Sequence, residues 1–248
     1  VKNMDRNKVI TNPKQLVRME LKNAGFDLDT IIVPERVYLL ADDIFDIMKS
    51  MNCGQLQYPV GGGIYIFNNN HHIGFVKANM CSPAIATQAE DLIACGVKEL
   101  IHIGYAGALS PDMNVGNIVL TDGAYNDTAV PRLYGYNCDF IESANTLTDR
   151  ISNLLIENSV IFHRGKHWTT DAGYRETWEQ IDNFRKKNAL CVEMEGVGLF
   201  TIAKYRDRSA TAIYIISDTL NEKGWNLGWD GQVISQAVQK VLAAIIPN

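Results

Sequence analysis

The groups in this 248-residue sequence best placed to do chemistry are carboxylates in apolar surroundings. Glu193-Met194-Glu195 stands between two apolar stretches, 189–192 and 196–205, so both acids are expected to be buried. An ionised carboxylate is costly there unless something hydrogen-bonds to it or pairs with it. One reading is local: acidic residues at a helix start satisfy its free amides and its dipole. Asp218 repeats the arrangement at the end of 210–216, the most strand-like run in the chain, and alone it would read as an N-cap or turn residue. Two acidic strand exits in one sheet point instead to a shared cleft. His163 and His167 are four apart, but Gly165 interrupts them and no carboxylate lies at matching helical spacing, so they read as a solvated loop pair. Cys53, Cys81, Cys95, Cys138 and Cys191 are odd in number and lack a CxxC pair. They suit reduced, mostly buried thiols better than disulfides or a zinc site, and no metal is expected.

The elements that must carry these acids alternate. Residues 64–67 and 73–76 read as a hairpin between Gly61-Gly62-Gly63 and the turn run Asn68-Asn69-Asn70. Ser82-Pro83 supplies an N-cap and a first-turn proline, 84–95 carries helical spacing, and Gly96 sits at the C-cap. Strands follow at 99–103, running into Gly104-Tyr105-Ala106-Gly107, and at 117–121. A helix over about 147–157, a strand at 160–163 and a loop holding Trp168-Thr169-Thr170-Asp171 come next, then a charged helix over about 175–187. The strand 189–192, the helix 196–205, the strand 210–216 and an amphipathic helix 232–246 close the chain. This alternation predicts an α/β fold with a central mixed, mainly parallel sheet flanked by helices on both faces. Ligands of such sheets collect beyond the carboxyl ends of strands.

With 46% hydrophobic residues the chain can bury a sizeable core, and one domain over 1–248 is preferred to two small ones, with 1–30 as a poorly defined N-terminal extension. The net charge of −5 is spread along the sequence, so no basic stripe addresses nucleic acid or an anionic membrane. The apolar stretches are too short to span a bilayer, and a cytoplasmic protein acting on a small molecule is expected.

The blocks ELIHIGYAG (99–107), VEMEG (192–196) and IISD (215–218) resemble, in order and separation, the three diagnostic blocks of the nucleoside phosphorylase and nucleosidase superfamily. WTTDAGYRET (168–177) and the tail 218–230, with Trp225 and Trp229, are similar to a microbial branch described as phosphorylases. The resemblance implies cleavage of the N-glycosidic bond of a nucleoside, with no cofactor and inorganic phosphate as co-substrate. It makes Glu195 the catalytic carboxylate that holds the ribose hydroxyls, where positive charge grows as the bond breaks. Met194 would pack on the sugar, and Glu193 would join the ribose site if the strand continues far enough to put it on the same face as Glu195. Asp218 would be the general acid that protonates the leaving base, with a pKa raised by burial. Tyr174, and beside it Trp168, would wall the base, with packing in the core or a loop as the alternative for each. Asp171 belongs to the same block and also fits an Asx turn. Relatives assemble as dimers, trimers or hexamers, so a homo-oligomer is expected.

The phosphate ligands depart from that pattern. Residues 31–42 lack the family's Gly-Asp-Pro loop, and His102 and Tyr105 stand where an arginine and a small hydroxyl residue are expected. Remaining for phosphate are the backbone of Gly104 to Gly107, the helix start at Ser82, Tyr105, and His102 if protonated. Arg36 beside a predicted strand reads as a surface charge. Phosphorolysis is the favoured reaction, with hydrolysis by water as the alternative and a catalytically silent nucleoside binder as a second. Purine is favoured over pyrimidine, because Arg175-Glu176-Thr177 replaces the Gln and Arg with which uridine-specific members read their base.

Overall fold

The structure is a computed structural model that describes residues 9–51, 53–221, 224–228 and 231–246. The Asn12 side chain accepts from the Lys14 amide and opens α1 (Pro13–Asn23), with proline in the first turn. Val17 and Leu21 of α1 are fully buried, so this part of the expected extension is a core helix. Its signal, an N-cap asparagine before proline, was present in the sequence.

Next come β1 (Arg36–Leu40), α2 (Asp42–Ser50), β2 (Gly54–Tyr58), and the hairpin of β3 (Ile64–Phe67) and β4 (Asn70–Lys77). The helix α3 (Ser82–Cys95) begins one residue earlier than its cap signal suggested, with Cys81 as N-cap. It leads to β5 (Glu99–Ala108), β6 (Ile118–Asp127), the one-turn α4 (Val130–Leu133), β7 (Phe140–Glu142) and α5 (Asn145–Glu157). Then follow β8 (His163–Thr170), a 3-10 turn (Gly173–Arg175), α6 (Trp178–Lys186), β9 (Ala189–Glu193) and α7 (Gly196–Tyr205). The chain closes with β10 (Ser209–Asn221), β11 (Gly224–Asn226) and α8 (Gly231–Ile245).

Three expectations are corrected here. The strand expected at 160–163 starts at His163 and takes in Trp168 to Thr170, so those residues are strand rather than loop. The strand expected to stop at Ile216 runs on to Asn221, because β11 pairs with its far end. Gly104 to Gly107 form no loop either; they continue β5, in register with Tyr214 to Asp218 of β10.

The strands form one mixed sheet of order β11-β10-β6-β8-β9-β5-β1-β4-β3-β2, with β7 on β6. Parallel pairings (β1–β4, β1–β5, β5–β10, β6–β8, β8–β9) make its centre. The antiparallel contacts β6–β10 and β5–β9 close five central strands into a ring. Helices cover both faces. Along β10, Ala212, Tyr214 and Ile216 join the core under α1, α3 and α7, while Ile213 and Ile215 join the core under α2, α5 and α8. Burial on both faces is why this strand reads as an unbroken apolar run. All five cysteines are free; Cys95 and Cys191 are buried and the others half-buried.

Candidate active site

The strand β9 ends at Glu193, and the chain turns through Met194 and Glu195 into α7. Period-2 alternation therefore stops between the two acids, and they do opposite things. Glu193 points inward and is 5% exposed. Its Oε2 accepts from the amides of Glu195 at 2.7 Å and Gly196 at 2.8 Å. Its Oε1 accepts from the Thr169 hydroxyl and lies 3.0 Å from His167 Nε2. Burial works to raise its pKa, but His167, Thr169 and the Glu195 amide outweigh it and hold the carboxyl well below the usual range. A carboxylate has about four acceptor sites. All are occupied, so Glu193 is no ribose ligand.

Glu195 is half-buried. Its Oε1 accepts from the Cys81 amide at 2.8 Å, and its Oε2 accepts from the Met194 amide at 3.4 Å. Burial, then the charge of Glu193, push its carboxyl up to about 8. Cys81 donates from a left-handed conformation, φ 73°, that a residue with a Cβ seldom adopts. The strained residue thus sits on the candidate ligand-binding carboxylate.

Two glycines let these elements meet. A Cβ on Gly196 would lie 2.5 Å from His167 Nε2, and one on Gly198 would lie 2.2 Å from the Ser82 carbonyl oxygen. The start of α7 therefore rests directly on β8 and on the start of α3.

Asp218 lies at an irregularity in the β5–β10 ladder, where a Cβ on Gly107 would come within 2.9 Å of its Oδ2. Ser217 Oγ donates to Oδ1 at 2.6 Å and Trp225 Nε1 donates to Oδ2 at 2.7 Å. Trp225 meets Tyr174 edge to face, with ring centroids 6.4 Å apart. Tyr174 is 92% exposed on its 3-10 turn. On the same turn the Cβ position of Gly173 is 3.3 Å from Met194 Sδ and 4.0 Å from Glu176 Oε1. Burial first, and the charge of Asp218 second, push the Glu176 carboxyl up to about 7. A side chain at Gly173 would therefore meet both Met194 and Glu176, and Glu176 stands close enough to Asp218 to feel its charge.

Other candidates stand elsewhere. Trp168 is fully buried and stacks on Phe184 at 4.5 Å, so it belongs to the core under α6 and not to a wall facing ligand. Its neighbour on the strand, Thr169, faces the opposite way and donates to Glu193. Tyr105 is on the other face of β5, where its hydroxyl donates to Asp43 of α2 at 2.6 Å. His102 is buried, and desolvation lowers its pKa to about 4, so it offers no charge to an anion at neutral pH. Ser82 is fully buried and Gly104 is enclosed in the sheet beside the His102 ring, so neither is open to phosphate. Arg36 is half-buried in an ion pair with Glu99 at 2.8 Å. Asp171 accepts from the Ala129 amide rather than closing an Asx turn. His167 is no solvated loop residue: strand alternation turns it inward and 0% of it is exposed, while His163 remains exposed. Trp229 lies outside the described residues.

Sequence reasoning gave no role to His167, Thr169, Cys81, Trp225 or Glu176. A signal existed for the first two, since His167 and Thr169 alternate on one face of a strand that had been read as loop. A cavity of about 420 Å3 begins at Thr219, one residue past Asp218, but its walls, including Asn114, Asn221 and Asn226, contain no ionisable side chain.

A mixed sheet between two helical layers, with one half-buried carboxylate just past the end of β9 and another within β10, defines an α/β protein. The family model of the Phosphorylase superfamily matches residues 53–247. The chain belongs to that superfamily. It is similar to a DeoD-type purine nucleoside phosphorylase of Caldanaerobacter subterraneus subsp. tengcongensis, 27% identical over 197 residues, 77% of this chain and 83% of that protein. It is also similar to proteins of the same description from Streptococcus pyogenes serotype M5, 30% identical over 61% of this chain and 65% of the relative, and from Oceanobacillus iheyensis, 30% identical over 55% and 59%.

Proposed function

We propose that this protein cleaves the N-glycosidic bond of a purine nucleoside by phosphorolysis, giving free base and pentose 1-phosphate. The observation that carries the reading is the presence of two half-buried carboxylates at the carboxyl ends of neighbouring parts of the sheet: Glu195 just past β9, anchored on one oxygen by the Cys81 amide, and Asp218 in β10, held by Ser217 and Trp225. An ionised Glu195 bonded to the sugar hydroxyls gains strength as oxocarbenium charge develops. Asp218, held by Ser217 and Trp225, protonates a ring nitrogen so that the base leaves neutral, a contribution of about 10²–10⁴-fold. Tyr174 and Trp225 supply aromatic faces for the base. The purine preference rests on the names of the relatives and on Arg175-Glu176-Thr177 standing where uridine-specific members carry their Gln and Arg.

Water in place of phosphate is the second reading, favoured by one observation: His102 is enclosed and uncharged, and Tyr105 faces the other side of the sheet. Base release from a nucleoside panel, with and without phosphate and with the sugar product identified, separates the two. Ribose 1-phosphate formed only with phosphate supports phosphorolysis, free ribose at a phosphate-independent rate supports hydrolysis, and base released faster from uridine than from inosine or adenosine overturns the purine preference. Asp218→Asn is expected to lower kcat by about 10²-fold or more with ligand affinity nearly kept. Binding without base release from any nucleoside identifies a silent relative.

A further inference from the structure

The buried pair His167–Glu193 holds the backbone of the sugar-binding carboxylate without touching the site itself. Both side chains are at most 1% exposed. The His167 ring is fixed at each end. Nε2 lies 3.0 Å from Glu193 Oε1, and Nδ1 lies 2.6 Å from the Thr121 hydroxyl, which is itself locked to the Gly123 backbone by contacts of 3.0 and 3.1 Å. Tyr214 and Phe200 pack edge-on against the ring at 4.9 and 6.1 Å. The far oxygen of Glu193 then takes the amides of Glu195 and Gly196. Those two bonds set the backbone from which the Glu195 side chain departs, while the Cys81 amide holds one of its oxygens.

The geometry points to His167 as a positioning residue for sugar recognition: through Glu193 it fixes the backbone at Glu195 and so aims that carboxylate at the sugar hydroxyls. Without the imidazole, Glu193 is a buried carboxylate short of a partner, and it must take up a proton or rotate. Either change loosens its hold on the two amides. The inference rests on the reading of Glu195 as the sugar-hydroxyl ligand.

The test compares kcat/KM for a purine ribonucleoside and for its 2′,3′-dideoxy counterpart, which offers Glu195 neither the 2′ nor the 3′ hydroxyl. Wild type is expected to favour the ribonucleoside, and Glu195→Gln sets the ratio that remains without the carboxylate. His167→Phe, matched in shape to its aromatic surroundings, is expected to drop the ratio on the order of tenfold, most of the way to that floor. His167→Gln, long enough to donate to Glu193, retains much of the preference; His167→Asn, too short, loses it. A purely structural role lowers activity toward both substrates alike. Wild-type preference persisting in His167→Phe overturns the inference, as do equal ratios in the Gln and Asn variants if the Phe variant does not fold. Wild type that releases base without favouring the ribonucleoside, or releases none, instead overturns the underlying reading and this inference with it.

Discussion

Glu193 and Glu195 are two residues apart, yet their environments drive them in opposite directions. Glu193 is surrounded by donors and stays ionised far into acid; Glu195 is desolvated beside that charge and holds its proton to about pH 8. If the ionised form of Glu195 stabilises the transition state, kcat/KM in the free enzyme rises with pH through about 8. A pH–rate profile checks this, with the rising limb expected to vanish in Glu195→Gln. The same groups act on stability with opposite sign. Ionising Glu195 is harder in the folded chain than in the unfolded one, so its contribution is complete below the ordinary glutamate range and is lost as pH rises through about 8. Glu193 contributes above that range, and its contribution is lost as pH falls below it. Denaturant unfolding of wild type and Glu195→Gln across pH 5 to 9 isolates the first effect, the variant being the flatter of the two.

At the level of elements, the site depends on how closely α7 approaches α3. Gly198 lies against Ser82, and Ser82 follows the residue whose amide anchors Glu195. Adding one methyl at Gly198 must push backbone against backbone, because the atom 2.2 Å away is a carbonyl oxygen and not a flexible side-chain end. Gly198→Ala is expected to cost about 1–3 kcal/mol, as overpacking does, and to weaken nucleoside binding as well. Thermal unfolding and a ligand titration read the two effects separately. Unchanged affinity in a destabilised variant would show that the α3–α7 contact supports the fold alone. The junction of β9 and α7 works similarly: ending the strand at Glu193 is what turns one acid into the core and leaves its neighbour half-buried.

At the level of the whole molecule, the sheet separates a face that carries the site from one that supports it. Tyr214 packs beside His167 on the α3 and α7 face, while Ile213 is buried under α5 and α8. Ile213→Ala is expected to cost about 2–5 kcal/mol by leaving a cavity. It should leave the ratio between ribo- and dideoxynucleoside substrates unchanged, which chemical denaturation together with the paired kinetic assay checks. A matching change in that ratio would mean that the two faces are coupled. No helix among the described residues is long and apolar enough to cross a membrane.

The hairpin of β3 and β4, the helix α7 and the C-terminal cap of α3 were legible because turn residues, caps and 3.6-residue periodicity act within a few positions of one another. The α/β class was legible for a similar reason, and so was the need of Glu193, Glu195 and Asp218 for partners, since acids set against apolar strands demand them whatever the topology. Tertiary structure alone decided which partners those are. His167 reaches Glu193 only because β8 and β9 pair in parallel, and Trp225 reaches Asp218 only because β11 folds back on β10. Tyr105 and His102, three residues apart, were read as one phosphate site, yet they face opposite layers of the sheet because β5 continues as a strand where glycines suggested a loop. Local chemistry sets which residues need a partner and how each segment curls; the pairing of distant strands sets which side chains share a face, and no spacing along the chain records that choice.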